Sequence, residues 1–460
     1  MKPIFGAVVG ISVVISGGMW QMAVAQVALQ ARGQVVIKEQ GYVPFAAEPI
    51  NYRSEDLSDP IAKLEKQLEL GDVRLEYEPQ HGYLRSVLQA LHVPVSSQAL
   101  VFSKTSFQSP KISPEHPRAL YYNDDVYVGQ VHDGKSLEFI SFDPMQGAIF
   151  YVMDEHQVKH PRFERAETDC LQCHVANNST RGVPGVMLRS VFTNPSGMQA
   201  AGTPSFITGH ESPLKDRFGG WYVTGIAGQQ THMGNVLLDQ NASPEQLDRT
   251  SSADLRDLKG KLDTTAYLSP YSDIVAQLVL AHQTQMHNFI TQVNYRTRLA
   301  LYNDAKKNGA AGAADAAISE AARSQFERPA EQLVRYLFFT NEARLESPIH
   351  GTAGFEEEFA ARGPRDSRGR SLRDFDLQTR IFKYPCSYLV YSSDFDAIPA
   401  PAKEYIYRRM FEILSGREQS SGFASLSGED RRAILEILVA TKPGLPEEWK
   451  QLVSTGNQAQ

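Results

Sequence analysis

Hydrophobic positions along this chain change their spacing twice, and each change marks a region. Ser58-Asp59-Pro60 joins two capping residues to a proline suited to a first turn. Leu64, Leu68 and Leu70 then continue a helix that Gly71 stops. Tyr83 to Leu91 predicts a second short helix, ended ahead of Pro94. The pattern then breaks into short runs rich in Val, Ile, Tyr and Phe: Leu100–Phe102, Ala119–Asn123, Val126–Val131, Leu137–Phe142 and Ala148–Met153. Asn123-Asp124-Asp125, Asp133-Gly134 and the stretch from Asp143 to Gly147 supply turns between them. The expectation is an antiparallel meander of four or five strands, ending near His160. Ahead of all this, Gln26 to Leu57 shows little periodicity and is expected to wrap the surface.

The middle of the chain is dense in Gly, His and aromatic residues. Thr180 to Gly185 reads as a loop, Val186 to Phe192 as a strand and Asn194 to Gly197 as a turn. Leu237 to Asp263 is a polar connector. Helical spacing then takes over. Ser272-Asp273 caps a long helix reaching about Asp304, with Val275, Val279, His282, Met286, Ile290 and Val293 on one face. Ala305 to Ala317 is a linker or a frayed helix end. Further helices are predicted at Glu331–Asn341, Pro401–Ser415 and Gly428–Ala440. The fold class is therefore α+β, with a meander first and a mainly helical C-terminal half.

Between these regions lies Cys170-Leu171-Gln172-Cys173-His174, the C-x-x-C-H signature of covalent c-type haem attachment. Two thiols at this spacing add to the two vinyl groups of one porphyrin, and the adjoining histidine supplies the proximal iron ligand. A zinc site needs a second ligand pair, which is missing here. A redox dithiol should follow an apolar strand, whereas Glu164 to Asp169 is polar. The motif occurs once and the chain has no internal repeat, so one haem c is expected. The sheet, which feeds directly into the attachment segment, is expected to wall the haem pocket.

Composition adds location. The 460 residues are 42% hydrophobic and 22% charged, an ordinary globular balance with length for two or three domains. A net charge of −7 gives no electrostatic reason to bind nucleic acid or an anionic membrane. Met1-Lys2, the apolar Ile4–Ile15 and Ala23-Val24-Ala25 fit a secretory signal peptide cleaved before Gln26. No later run is apolar enough for a membrane span, so a soluble exported protein is expected. The expected divisions are 1–25 signal peptide, 26–160 α+β region with the meander, 161–245 haem-binding segment and 246–460 helical region. Cys386, in the strand-like run Tyr384–Tyr391, is expected to be a buried free thiol.

The ligand on the other face of the iron decides between carrier and catalyst. His232 and Met233 form the leading candidate pair. His282, Met286 and His287 on the long helix form a second set, with core packing as their simpler reading. Met187, Met198 and His210 form a third, and an open face remains an alternative. Arg181 and Arg189 are candidates for the haem propionates. The arginines between Arg362 and Arg373 read as a solvated loop with local ion pairs.

On Cys170, Cys173 and His174 the chain resembles exported c-type cytochromes. Arg181–Gly185, Arg189–Phe192, Gly219–Gly225, His232–Asn235, the His282–Asn288 helix and Tyr384–Tyr388 are similar to a group of long bacterial envelope proteins with one such motif. The resemblance implies cofactor and periplasmic location, and no reaction. Small one-haem cytochromes precede a ligating methionine with a proline, which Met233 lacks. The function expected is electron transfer by a periplasmic one-haem cytochrome with a redox partner protein. The alternatives are a peroxidase-like haem oxidoreductase with an open distal site, or a redox or gas sensor.

Overall fold

Six strands run antiparallel in chain order: β1 Ala99–Val101, β2 Arg118–Tyr122, β3 Val126–Val131, β4 Ser136–Asp143, β5 Gly147–Asp154 and β6 Glu164–Arg165. They belong to a computed structural model that describes residues 42–239, 242–250, 253–307 and 317–458. The expected signal segment and most of the expected linker lie outside those residues. The meander is as the alternation predicts, with one more strand, the polar pair Glu164-Arg165 that leads into the cysteine motif.

Register assigns the two faces. Tyr122 pairs with Tyr127, Tyr127 with Ile140, and Ile140 with Phe150, so these four share a face. That face joins the main core, with Leu120 and Ile140 half-buried at its margin. The opposite face carries Tyr121, Val128, Phe139, Ser141 and Tyr151. Helix α1 (Pro60–Leu70) is tied to it, because Tyr151 donates to the Asp59 carboxylate at 2.9 Å. The same carboxylate caps α1, accepting from Ile61 N and Ala62 N at 3.0 and 3.3 Å. Gly71 ends the helix in the left-handed region at φ 78°. A second short helix, α2, spans Leu84–Ala90. Residues 42–57 form no helix or strand, yet Val43, Ile50 and Tyr52 are buried.

The motif forms helix α3, Glu167–His174, and a hairpin of β7 Arg189–Val191 and β8 Ser205–Ile207 follows. Helix α4, Ile274–Lys307, is 34 residues long. Asp273 caps it as the sequence predicts, accepting from Val275 N and Ala276 N at 2.8 and 3.1 Å. Its second oxygen accepts from Thr352 N and Ala353 N at 2.7 and 2.9 Å, so the cap also anchors a distant loop. Helices α5 Glu320–Leu337, α6 Phe355–Ala361, α7 Ser393–Asp396, α8 Ala400–Leu414, α9 Gly428–Thr441 and α10 Glu447–Gln458 complete the helical half. Helix α5 begins earlier than the expected Glu331, because Ser319 caps it and Pro329 is accommodated inside. The run Tyr384–Tyr391 is not a strand. Ser387 accepts from Leu389 N, turning the chain into a 3-10 turn over Tyr388–Tyr391.

One hydrophobic cluster takes in Phe150 of the sheet, Val186 of the middle segment, Ile290 of α4 and Leu438 of α9. Among the described residues no helix is long and apolar enough to cross a membrane.

Candidate functional site

Helix α3 starts where β6 ends, and Ala166 N donates to Phe150 O at 2.9 Å across that junction. Glu167 and Asp169 sit in its first turn, where the helix dipole favours anions. Cys170, Cys173 and His174 stand at i, i+3 and i+4, which is one helical face. Both thiols of the pair are free. Cys170 and Leu171 are half-buried against the main core, while Cys173 is exposed. Burial, with the Glu138 and Asp169 carboxylates, pushes the Cys170 thiol up to about 12.

His174 ends the helix with its ring 4.9 Å from that of Phe150 on β5. Its Nδ1 lies 2.8 Å from the Gly185 carbonyl oxygen. A carbonyl only accepts, so Nδ1 carries the proton and Nε2 keeps its lone pair. Burial lowers the ring's pKa, holding it neutral at pH 7. A neutral imidazole with Nδ1–H bonded to a carbonyl and Nε2 bare is what iron ligation requires. The donor set thus fits a c-type haem: two free thiols and one oriented imidazole on one face.

The surroundings suit a flat apolar cofactor with charged edges. Leu120 and Ile140 offer half-buried apolar surface on the sheet face that Phe150 and His174 share. Arg118 and Glu138 pair on that face at 2.5 Å, with Ser106 and Gln108 also donating to Glu138 at 2.5 and 2.9 Å. Both charges act on Cys170 and on His174. Arg181, in the loop after the motif, stacks over the Phe289 ring of α4. Arg189 donates instead to Ser205 on the neighbouring strand at 3.0 Å.

The other candidate ligands are engaged locally. His232 Nδ1 accepts from Gly234 N at 3.0 Å, so its Nε2 carries the proton, 3.2 Å from Ala253 O. Both ring nitrogens are therefore committed, and burial brings the ring down to about 4. The Met233 sulfur accepts a weak bond from Ser190 Oγ at 3.7 Å and packs with Phe192 and Leu238 in a small separate cluster. Among the described residues no hydrogen bond or ring contact joins His232 or Met233 to α3. His282 and His210 bond to each other, Met286 is core, and Met198 is 53% exposed. His287 lies 2.8 Å from Asp124 O through Nε2 and 3.3 Å from the Asp394 carboxylate through Nδ1. Cys386 is fully buried, and burial raises its thiol far above the usual range.

One residue beside the candidate site escaped the sequence reading. Asn288 of α4 is buried and bonded to both sides of Val186, in the loop that holds His174. A signal was present, since His282-Gln283-Thr284-Gln285 and His287-Asn288 put many polar groups on the long helix that Ser272-Asp273 caps.

Comparison with family models, with curated proteins and with solved structures finds no match. Among the described residues no group of three or more His, Cys, Asp or Glu side chains is placed to hold a bare metal ion, whereas haem asks only one such ligand of this helix.

Proposed function

We propose that the chain carries one haem c through thioethers to Cys170 and Cys173, with His174 as proximal ligand, and works as an exported one-electron carrier. The observation that carries the reading is the His174 Nδ1–H bond to Gly185, at the end of a helix presenting both thiols on the same side. Bound haem supplies one-electron chemistry at its iron. The chain's own residues bind and orient it. Cys170 and Cys173 prevent loss, Gly185 fixes the imidazole, and Phe150, Leu120 and Ile140 exclude water from one side. Arg118 and Arg181 are the cations that would pair with its propionates. The partner is another redox protein, and the reading places both in the periplasm.

For the sixth ligand, Met233 is the less costly of the expected pair to recruit, because its sulfur gives up only a weak contact. His232 would forfeit two hydrogen bonds. That commitment of His232 also favours a second reading, in which the distal face is open and a small molecule binds or reacts there.

The test is the absorption spectrum of the purified, reduced, full-length protein with and without carbon monoxide. Haem that stays on the chain through denaturation supports attachment, and its absence refutes it. An unchanged spectrum under carbon monoxide supports the carrier. A clear shift moves the enzyme and sensor readings ahead.

A further inference from the structure

Gly185 and Val186 share one peptide unit, and that unit is held from two sides. Its carbonyl accepts from His174 Nδ1 at 2.8 Å, and its N–H donates to Asn288 Oδ1 at 2.9 Å. In a trans peptide the C=O and N–H point in opposite directions, so His174 and Asn288 grip the same plane across its width. Asn288 Nδ2 also donates to Val186 O at 2.7 Å and to Ser179 O at 3.3 Å. Its amide thus pairs with Val186 as a neighbouring strand would. A Cβ on Gly185 would overlap Asn288 Oδ1, so glycine at 185 is what admits the clamp. Gln285 and Gln292 lie on the same stripe of α4. They donate to Ser179 O at 3.3 Å and to Arg181 O at 3.1 Å, tying the preceding loop but not this peptide.

We infer that Asn288 is the positioning residue of the haem site: it fixes the plane, and sets the acceptor strength, of the carbonyl that orients His174. The inference rests on the reading that His174 ligates haem iron. Hydrogen bonds on the two ends of a peptide strengthen one another. Accepting the Val186 proton makes the Gly185 oxygen a better acceptor, and a better acceptor makes the imidazole a stronger electron donor to its metal. Removing the Asn288 amide frees the plane and weakens that oxygen. Ferric iron then loses support relative to ferrous, and the reduction potential rises. A residue that only glued the loop down would alter stability and haem yield without moving the potential.

The experiment measures covalent haem content and reduction potential in full-length wild type, Asn288→Leu, Asn288→Asp and Gln292→Leu. Asn288→Leu should carry haem at a raised potential. In Asn288→Asp the carboxyl faces two carbonyl oxygens, which favours its protonated form, and that form keeps one acceptor and one donor. It should restore the wild-type potential at mildly acid pH. Gln292→Leu should leave the potential unchanged. Haem-loaded Asn288→Leu at the wild-type potential overturns the inference. Should that variant fail to load, nitrogen NMR on the haem-free Cys170→Ala/Cys173→Ala chain decides. The Nδ1–H tautomer of His174 should dominate there, and adding Asn288→Leu should mix the tautomers; an unchanged tautomer overturns the inference. Wild type without covalent haem would refute the functional reading instead, and the tautomer measurement would still stand.

Discussion

His282 and His210 meet nitrogen to nitrogen, Nδ1 to Nδ1 at 2.9 Å, in the buried centre of the helical half. Geometry assigns every proton. His210 Nε2 lies 3.4 Å from the Thr340 carbonyl, which only accepts, so His210 Nδ1 is bare. His282 Nδ1–H then donates to it, and His282 Nε2 accepts from Ser387 Oγ at 2.8 Å. The chain of bonds needs both rings neutral. Burial supplies that, bringing His210 down to about 3 and His282 well below its usual value.

Acid stability follows from this pair. The folded pKa of His210 lies below its unfolded value of about 6.5, so below that pH the unfolded chain takes up a proton that the folded chain refuses. Its contribution is complete above about pH 6.5 and is lost as pH falls toward 3, at about 1.4 kcal/mol per pH unit. His210→Gln should be less stable than wild type at pH 7, and the gap should narrow by about 2 kcal/mol at pH 5. Urea unfolding at the two pH values measures it. A constant gap would show that folded His210 takes up its proton as readily as the unfolded chain does.

The thiols should separate by accessibility. In haem-free protein Cys173 should react first with a thiol reagent and Cys170 slowly, because burial keeps its thiol protonated up to about 12. Cys386 should react only after unfolding. In haem-loaded protein, Cys386 alone should titrate, and only in denaturant. Cys173→Ala should lose most covalent haem, and full haem content in that variant would sink the motif assignment.

Gly185→Ala should fail by collision. The new methyl group overlaps Asn288 Oδ1 and meets Thr180 Cβ at 3.1 Å. Overpacking of this kind costs about 1–3 kcal/mol. The strain falls on the peptide that holds His174, so covalent haem yield should drop along with the unfolding midpoint. Gly185→Ala/Asn288→Ala should recover part of the stability but not the wild-type potential.

Asp273→Ala should rank among the most damaging single changes outside the candidate haem site. Its carboxylate accepts from four backbone N–H groups belonging to α4 and to the 352–353 loop. Leaving buried donors unpaired costs about 1–3 kcal/mol each, less whatever water recovers, so a loss of about 3 kcal/mol or more is expected in denaturant unfolding. Asp273→Asn, which retains an acceptor, should lose less.

Features with local causes were legible in the chain. Asp59 and Asp273 announced their helices because a cap bonds within three residues, and the meander showed because turns punctuate it. Features with distant causes were not. Glu164-Arg165 is too short and polar to read as a strand, yet it pairs with Tyr151 and Val152. The start of α5 was masked by Pro329, and the apolar run around Cys386 was bent by the Ser387 cap into a turn. At the candidate site, spacing alone singled out Cys170, Cys173 and His174. The saturation of His232 depends on Ala253, and Asn288 bonds to a loop 102 residues away.

That separation orders events in time. A chain crossing a membrane from its amino end delivers Cys170, Cys173 and His174 well before the residue that closes the loop around them. On the proposed reading, the cysteines therefore meet haem on an open strand of polypeptide, before Cys170 is half covered by the core. On that reading, arrival of α4 is the latch on a cofactor already attached, and closure of the loop around His174 follows attachment rather than preceding it.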